Sequence, residues 1–450
     1  MADLNAIFKA YDIRGIFPEQ LDEEVAEKIG RALVCFLNCK KVVVGRDMRT
    51  SGQKLFDAIV RGITSQGADV IDIGLCSTDM SYFAAWKLEA DAGIMITASH
   101  NPPEYNGLKI VREGAAPVGE ESGLKEIRSL VEKNQLVQCE SCGKVEQKDM
   151  LAEFGEFCRS FIDIEKIKPL KVAMDAGNGM ASIVADEVFK GLPIEAERLF
   201  FKLDGTFPNH EANPLKAENR KDIERIVKEK GFDLGIAWDG DADRCFFINE
   251  KAEFVPGDQI VALLAKNLLK KEKGGKILYD VRCSHFVPET IKKAGGVPLI
   301  NRVGHAFFKK RMAEENAVAG GELSGHNYYA KENFYFDNGF IPALQVMELM
   351  AEEGKKLSEL LEDAKGFFHS GEINSEVEDK DGKIAELEEK YKGNANDVFH
   401  IDGLSMEFDN YWFNVRKSNT EPLLRLNLEA DNKELMEEKV KEVLGIIRKK

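Results

Sequence analysis

Short apolar runs recur along the chain, each closing on glycine, aspartate or small polar residues, with segments of helical period between them. The runs at 41–45, 68–74 and 93–96 read as strands, with helices over 22–38, from about Gly52 and near 80–88. Asn106-Gly107 is a hairpin signal before a further strand at 108–111. A charged, cysteine-containing stretch near 132–150 marks a boundary. The pattern then recurs at 171–175, which closes on Gly177-Asn178-Gly179 before a helix, and at 233–238, which closes on Asp239. It recurs again at 276–280, 297–300 and 317–320. The acidic stretch 352–363 predicts a helix leading to a boundary near 366. The last part differs, with strands at 412–415 and 423–428 around a polar turn, then a helix to the end. Strands alternating with helices predict an α/β fold of mostly parallel, mixed sheets covered on both faces. The chain divides as 1–150, 151–255 and 256–366, three similar α/β units, and 367–450, a smaller α+β unit. The repetition is of pattern only and is not visible letter by letter.

Composition narrows the class. A chain of 450 residues exceeds one core, so several domains are expected. The net charge of -16 argues against non-specific nucleic-acid binding, and an anionic ligand would need cations gathered in one cleft. No apolar run spans a bilayer, and the start Met-Ala-Asp-Leu-Asn lacks the basic and apolar regions of a signal peptide. Eight scattered cysteines fit a reducing cytosol, so a cytoplasmic protein is expected. Cys139-x-x-Cys142, with Cys35 and Cys39, has the makings of a structural zinc site, and unrelated thiols are the plainer reading.

Four stretches carry chemistry. Thr97-Ala98-Ser99-His100-Asn101-Pro102 follows an apolar strand and presents Ser99 at the carboxyl edge of a sheet, where ligands of open α/β folds sit. Ser99 there is a phosphoryl carrier, an acyl nucleophile or a plain turn residue. Asp239-Gly240-Asp241-Ala242-Asp243-Arg244 alternates three carboxylates directly after a strand, an all-oxygen set for a hard cation such as Mg²⁺ or Ca²⁺. An EF-hand loop is the rival, since Glu250 stands at the twelfth position, but Arg244 replaces its required glycine and the flanks are strand-like. Gly321-Glu322-Leu323-Ser324-Gly325-His326 places donors and acceptors for vicinal hydroxyls on one tight loop, or is a glycine-rich turn. Arg416-Lys417-Ser418-Asn419-Thr420-Glu421-Pro422 is an anion cradle suited to phosphate, or a solvated hairpin.

Together, TASHNP, DGDADR, GELSGH and RKSNTEP, in this order, resemble the α-D-phosphohexomutase superfamily over essentially the whole chain. The opening YDIRG and the segment from Asp204-Gly205-Thr206 to Asn213-Pro214 fit the same likeness, and GELSGH resembles its phosphomannomutase/phosphoglucomutase branch. The resemblance implies four domains around a central cleft and interconversion of hexose 1- and 6-phosphates of mannose or glucose through a hexose 1,6-bisphosphate. Ser99 would be the phosphoserine, and Asp239, Asp241 and Asp243 would hold Mg²⁺ together with a phosphoserine oxygen. Lys109 and His326 are the implied proton-transfer groups, with His100 and Arg14 lining the serine site and Arg244 assisting the phosphoryl group. Tyr11, Gly304, His305, Glu322 and Ser324 would meet the sugar, and Arg416, Ser418, Asn419 and Thr420 the non-reacting phosphate. Arg282 departs from the pattern, because many relatives carry lysine there. An arginine cannot be deprotonated for acid/base work, though it can hold a phosphate or hydroxyl. The partner implied is a small phosphosugar, with no nucleic acid or membrane, and the chain is expected to be a monomer or weak dimer. A phosphoglucosamine mutase, a phosphatase and a non-catalytic phosphosugar-binding protein are the alternatives.

Overall fold

The computed structural model describes residues 3–134, 141–418 and 423–449. Its strands pair into four separate sheets of seven, five, five and six strands. The first three share one plan. In each, the first strand runs between the second and third, all parallel: Lys41–Arg46 between Asp69–Leu75 and Ala92–Ile96, Leu170–Asp175 between Ile194–Leu199 and Leu234–Trp238, and Lys276–Asp280 between Val297–Asn301 and Ala319–Gly321. The chain then turns back into an antiparallel fourth strand, Tyr105–Arg112, Cys245–Ile248 or Asn327–Lys331. A fifth antiparallel strand completes each set. It comes directly after the fourth in the second and third sheets, as Phe254–Val255 and Phe334–Asp337, but in the first it is Ile13–Ile16 from the start of the chain.

This plan places the chemistry. The turn from third to fourth strand falls at 97–104, at 239–244 and at 322–326, so three of the four motif stretches occupy one topological position. Each leaves the carboxyl end of a parallel strand, the edge at which open α/β sheets bind ligands. The third strands Ala92–Ile96 and Leu234–Trp238 are buried throughout, as strands covered on both faces must be.

One buried apolar cluster runs through all three of these sheets, including Met95, Trp238 and Phe336. The fourth sheet, with helices Lys380–Tyr391 and Lys433–Ile447, has its own core of Leu404, Phe413, Leu426 and Val443. Much of its joint to the third unit is polar, through Arg282–Glu372, Val303 N–H to Asp402 and His285 N–H to Glu429.

Two sequence expectations are corrected. Asn106-Gly107 is not a hairpin turn but lies inside the strand Tyr105–Arg112, paired with Gly15 and Arg14. A Cβ at Gly107 would run into the carbonyls of Ile13 and Thr97, so this glycine serves a close backbone approach. The acidic stretch 352–363 is not one helix: Ile341–Glu353 ends at Gly354 with φ 63, and only the short helix Leu357–Leu360 and a 3₁₀ turn come after it. No helix among the described residues is long and apolar enough to cross a membrane.

Candidate active site

The serine loop is clamped before it is chemical. Ser99 has φ 50, the left-handed region that disfavours a residue with a Cβ. Buried Arg49 holds the loop there: its terminal nitrogens donate to the carbonyls of Ser99 (3.0 Å), Asn101 (2.6 Å), Pro102 (2.7 Å) and Tyr105 (2.8 Å). Asp47 pairs with Arg49 Nε at 3.3 Å, and the Phe207 ring of the second unit lies 5.3 Å from its guanidinium. The four-carbonyl role of Arg49 shows only in the fold.

Ser99 Oγ donates to Asp239 Oδ2 at 2.8 Å, so the first two units meet at this hydroxyl. His100 Nδ1 lies 3.2 Å from Oγ and an Arg244 nitrogen 3.5 Å from it. The hydroxyl proton is already given to Asp239, which leaves His100 to donate. Burial, then Arg244 and Arg14, hold the His100 pKa well below its ordinary value, so the ring is neutral. Arg14 reaches the same loop through Asn101 Oδ1 at 2.8 Å and pairs with Asp12. Arg244 Nε donates to Asp239 Oδ2 at 2.8 Å.

Asp239, Asp241 and Asp243 are fully buried, and their ligand oxygens lie within 4.8 Å of one another. Lys109 Nζ bridges Asp241 Oδ2 (2.7 Å) and Asp243 Oδ2 (2.5 Å), and Thr78 Oγ1 donates to Asp241 Oδ2 at 2.6 Å. Burial alone would lower the Lys109 pKa, but Asp241 and Asp243 outweigh it and hold it well above the ordinary value. The second oxygens, Asp241 Oδ1 and Asp243 Oδ1, are buried with no hydrogen-bond partner among the described residues. Buried carboxylate oxygens without donors fit a hard divalent cation. The flanks are the strands of a hairpin, which excludes an EF-hand.

The loops close because Gly240 has no side chain: a Cβ there would lie 2.5 Å from Ser99 O. Gly240→Ala is therefore expected to push the serine and carboxylate loops apart. It should lower stability by about 1–3 kcal/mol and kcat by about a hundredfold, measured by denaturant titration and steady-state assay.

The third unit supplies the opposite wall. His326 Nδ1 stands 3.9 Å from Asp243 Oδ1 and 3.4 Å from Asp337 Oδ2, and Lys309 pairs with Asp337 at 3.0 Å. Burial disfavours the His326 cation, but Asp243 and Asp337 outweigh it and raise its pKa. Glu322 is buried and accepts from Gly304 N–H (2.7 Å), Tyr328 Oη–H (3.0 Å) and Ser324 Oγ–H (3.3 Å). His305 begins the helix His305–Glu315, with its ring edge-on to Tyr11 at 5.1 Å. Both of its ring nitrogens are buried without a hydrogen-bond partner among the described residues.

Three sequence-predicted residues are already committed. Arg282 forms a two-pronged pair with Asp280 (2.9 and 2.8 Å) and sits 3.3 Å from Ser324 Oγ. Ser418 Oγ accepts from Arg425 at 3.1 Å. Arg416 faces Glu372 at 2.9 Å. Asn419 and Thr420 lie outside the described residues, as does Cys139. Among the described residues, the groups placed to hold a metal ion contain no cysteine, and Cys35 and Cys142 are exposed while Cys39 is buried. Sequence reasoning missed Thr78, Lys309, Asp337 and Glu372, single polar residues with no motif around them.

The comparisons agree with this layout. The phosphoglucomutase/phosphomannomutase models match in order: α/β/α domain I over 5–138, domain II over 151–252, domain III over 256–367 and the C-terminal domain over 372–446. The chain is 42% identical over 443 residues to a Xanthomonas campestris protein named for phosphohexose mutases, covering 98% of this chain and 99% of that one. It is 43% identical over 455 residues to a Vibrio cholerae phosphomannomutase, covering 98% of each. Among solved structures, a Burkholderia thailandensis phosphoglucomutase/phosphomannomutase family protein superposes with a TM-score of 0.89 at 31% identity, covering 100% of this chain and 98% of that one. The chain belongs to the phosphoglucomutase/phosphomannomutase family of phosphosugar mutases.

Proposed function

We propose that the chain interconverts the 1- and 6-phosphates of mannose and of glucose through a phosphoserine at Ser99 and a hexose 1,6-bisphosphate. The observation that carries this reading is the Ser99 Oγ–Asp239 contact of 2.8 Å, which sets a serine from one unit against the carboxylates of the next. The names of the relatives support mannose as one of the two sugars.

In this reading the Ser99 phosphate passes to the free hydroxyl of a bound hexose monophosphate: the serine P–O bond breaks, a sugar P–O bond forms, and a proton is taken from the sugar hydroxyl while one is given to the departing Ser99 Oγ. Lys109 and His326 are the proton-transfer groups. Lys109, held protonated by two carboxylates, suits donation, and His326 suits transfer in either direction. Arg14, His100 and Arg244 line the phosphoryl group, and the two arginines offset its charge. Asp239, Asp241 and Asp243, with Ser99, would hold Mg²⁺, which supplies charge neutralisation for phosphoryl transfer when bound. Tyr11, Gly304, His305, Glu322 and Ser324 meet the sugar, and Arg282 borders that pocket as the partner of Asp280. Arg416, Ser418, Asn419 and Thr420 hold the phosphate that is not reacting. The bisphosphate turns over in the site and returns its other phosphate to Ser99, so a trace of it primes the enzyme. The scattered cysteines fit a cytoplasmic setting.

A coupled assay tests this with Mg²⁺, a trace of glucose 1,6-bisphosphate, and mannose 1-phosphate or glucose 1-phosphate. Both 6-phosphates are expected to form. Conversion of glucosamine 1-phosphate alone would move the chain to the amino-sugar branch. Binding without conversion of any sugar would overturn the catalytic reading.

A further inference from the structure

Between the third and fourth units one carboxylate faces three guanidinium groups. Glu372 lies on the connecting segment, directly before the strand Ile373–Glu376. Its Oε2 is 2.9 Å from Arg416 and 3.5 Å from Arg282, and its Oε1 is 2.9 Å from Arg425. Arg416 and Arg425 stand directly opposite each other on neighbouring antiparallel strands, an arrangement that like charges oppose. Arg282 has its own partner in Asp280, and Glu372 is shared by the other two. Burial would raise the Glu372 pKa, but Arg282, Arg416 and Arg425 outweigh it and hold it at about 2, so the group is fully ionised at neutral pH. Arg416 is 4% exposed, and its Nε has no hydrogen-bond partner among the described residues.

We propose that Glu372 is a built-in competitor for the substrate's phosphate, its carboxylate occupying the Arg416 guanidinium that grips the phosphate not in reaction. The inference rests on the reading of 416–420 as the phosphate-holding loop. A carboxylate and a phosphate offer guanidinium the same pair of oxygens, so the two compete for one fork. A phosphate carries more charge and wins, but its net binding is reduced by the displacement of Glu372. That reduction suits a reaction whose bisphosphate must be released by this loop, turned and gripped again. A grip as strong in every state would lower KM without raising kcat. Glu372 also ties the fourth unit to Arg282 of the third, so a phosphate that takes Arg416 loosens that tie.

The test uses the full chain carrying Glu372→Gln, which keeps size and a hydrogen-bond acceptor but removes the charge, with Glu372→Ala in parallel. Inorganic phosphate is the probe, by calorimetry and as a competitive inhibitor. Phosphate is expected to bind about tenfold tighter to both variants, with KM for hexose phosphate falling by a similar factor and kcat not rising. Unchanged or weaker phosphate binding would overturn the inference, because it would mean that Glu372 only holds the arginines in place. Arg416→Ala separates the two levels. If it weakens phosphate binding while Glu372→Gln changes nothing, the competitor is refuted and the loop reading stands. If Arg416→Ala leaves phosphate binding unchanged, the loop reading itself fails.

Discussion

Ser99→Ala is expected to lower turnover by about 10⁴-fold or more, and Ser99→Gly to do the same while folding at least as stably as the alanine variant. The first half rests on covalent chemistry: with no Oγ there is no atom to carry the phosphoryl group, and Asp239 loses its 2.8 Å donor. Neighbouring groups cannot substitute, because Arg244 and His100 are donors aimed at the same oxygen. The second half rests on the backbone. Ser99 has φ 50, which costs a residue with a Cβ about 1–2 kcal/mol, and glycine escapes that cost. Glycine's larger unfolded-state entropy returns about 0.5–1 kcal/mol of it, so the two variants should differ by no more than about 1.5 kcal/mol in glycine's favour. Denaturant titration measures the stability, the coupled assay the turnover, and intact mass the phosphoryl group on the protein. Turnover of Ser99→Ala within tenfold of the parent would sink Ser99 as the carrier. Alanine more stable than glycine would mean that the loop is not strained at this residue. The pairing separates an element strained for function from one that is merely well packed, which activity alone cannot do.

Much of this was legible because the strands announce themselves. The runs at 93–96 and 234–238 are buried on both faces, so their apolar stretches are unbroken, and each gives way at its carboxyl end to polar, chemically able residues at a sheet edge. The alternating carboxylates after Trp238 were legible for the same reason. The equivalence of the three motif loops was not, since it lies in strand order and the stretches 97–104, 239–244 and 322–326 have no common motif. Asn106-Gly107 misled because a turn and a close backbone approach both ask for glycine, and only the fold shows the carbonyls of Ile13 and Thr97 beside Gly107. Arg49 and Glu372 were opaque because a lone charge in a highly charged chain carries no local signature. The carbonyls that Arg49 holds are 50 or more residues away, and two of the arginines that Glu372 meets are on other strands.

Lys109→Met is expected to destabilise the Mg²⁺-free protein by about 3–5 kcal/mol, more than any surface substitution, because it leaves buried carboxylates without their counter-charge. Lys109 Nζ contacts both Asp241 and Asp243, and Lys109 is itself 4% exposed. Among the described residues the remaining cationic partners of the three aspartates are Arg244, on Asp239, and His326, when protonated, 3.9 Å from Asp243. Mg²⁺ should therefore stabilise the variant more than the parent. Binding to the folded state alone contributes about 2.7 kcal/mol at a hundredfold excess over Kd, and the variant has more uncompensated charge to gain from it. Thermal unfolding across a Mg²⁺ series reads this directly. Equal Mg²⁺-free stability of variant and parent would show that Lys109 is not the counter-charge of this site. Lys109→Arg then divides its two duties. An arginine keeps the charge between Asp241 and Asp243 but does not release a proton in a protein. If arginine restores stability and not turnover, Lys109 moves a proton in the reaction. If it restores both, Lys109 serves by holding the carboxylates, and proton transfer falls to His326, whose ring stands between Asp243 and Asp337 on the facing wall.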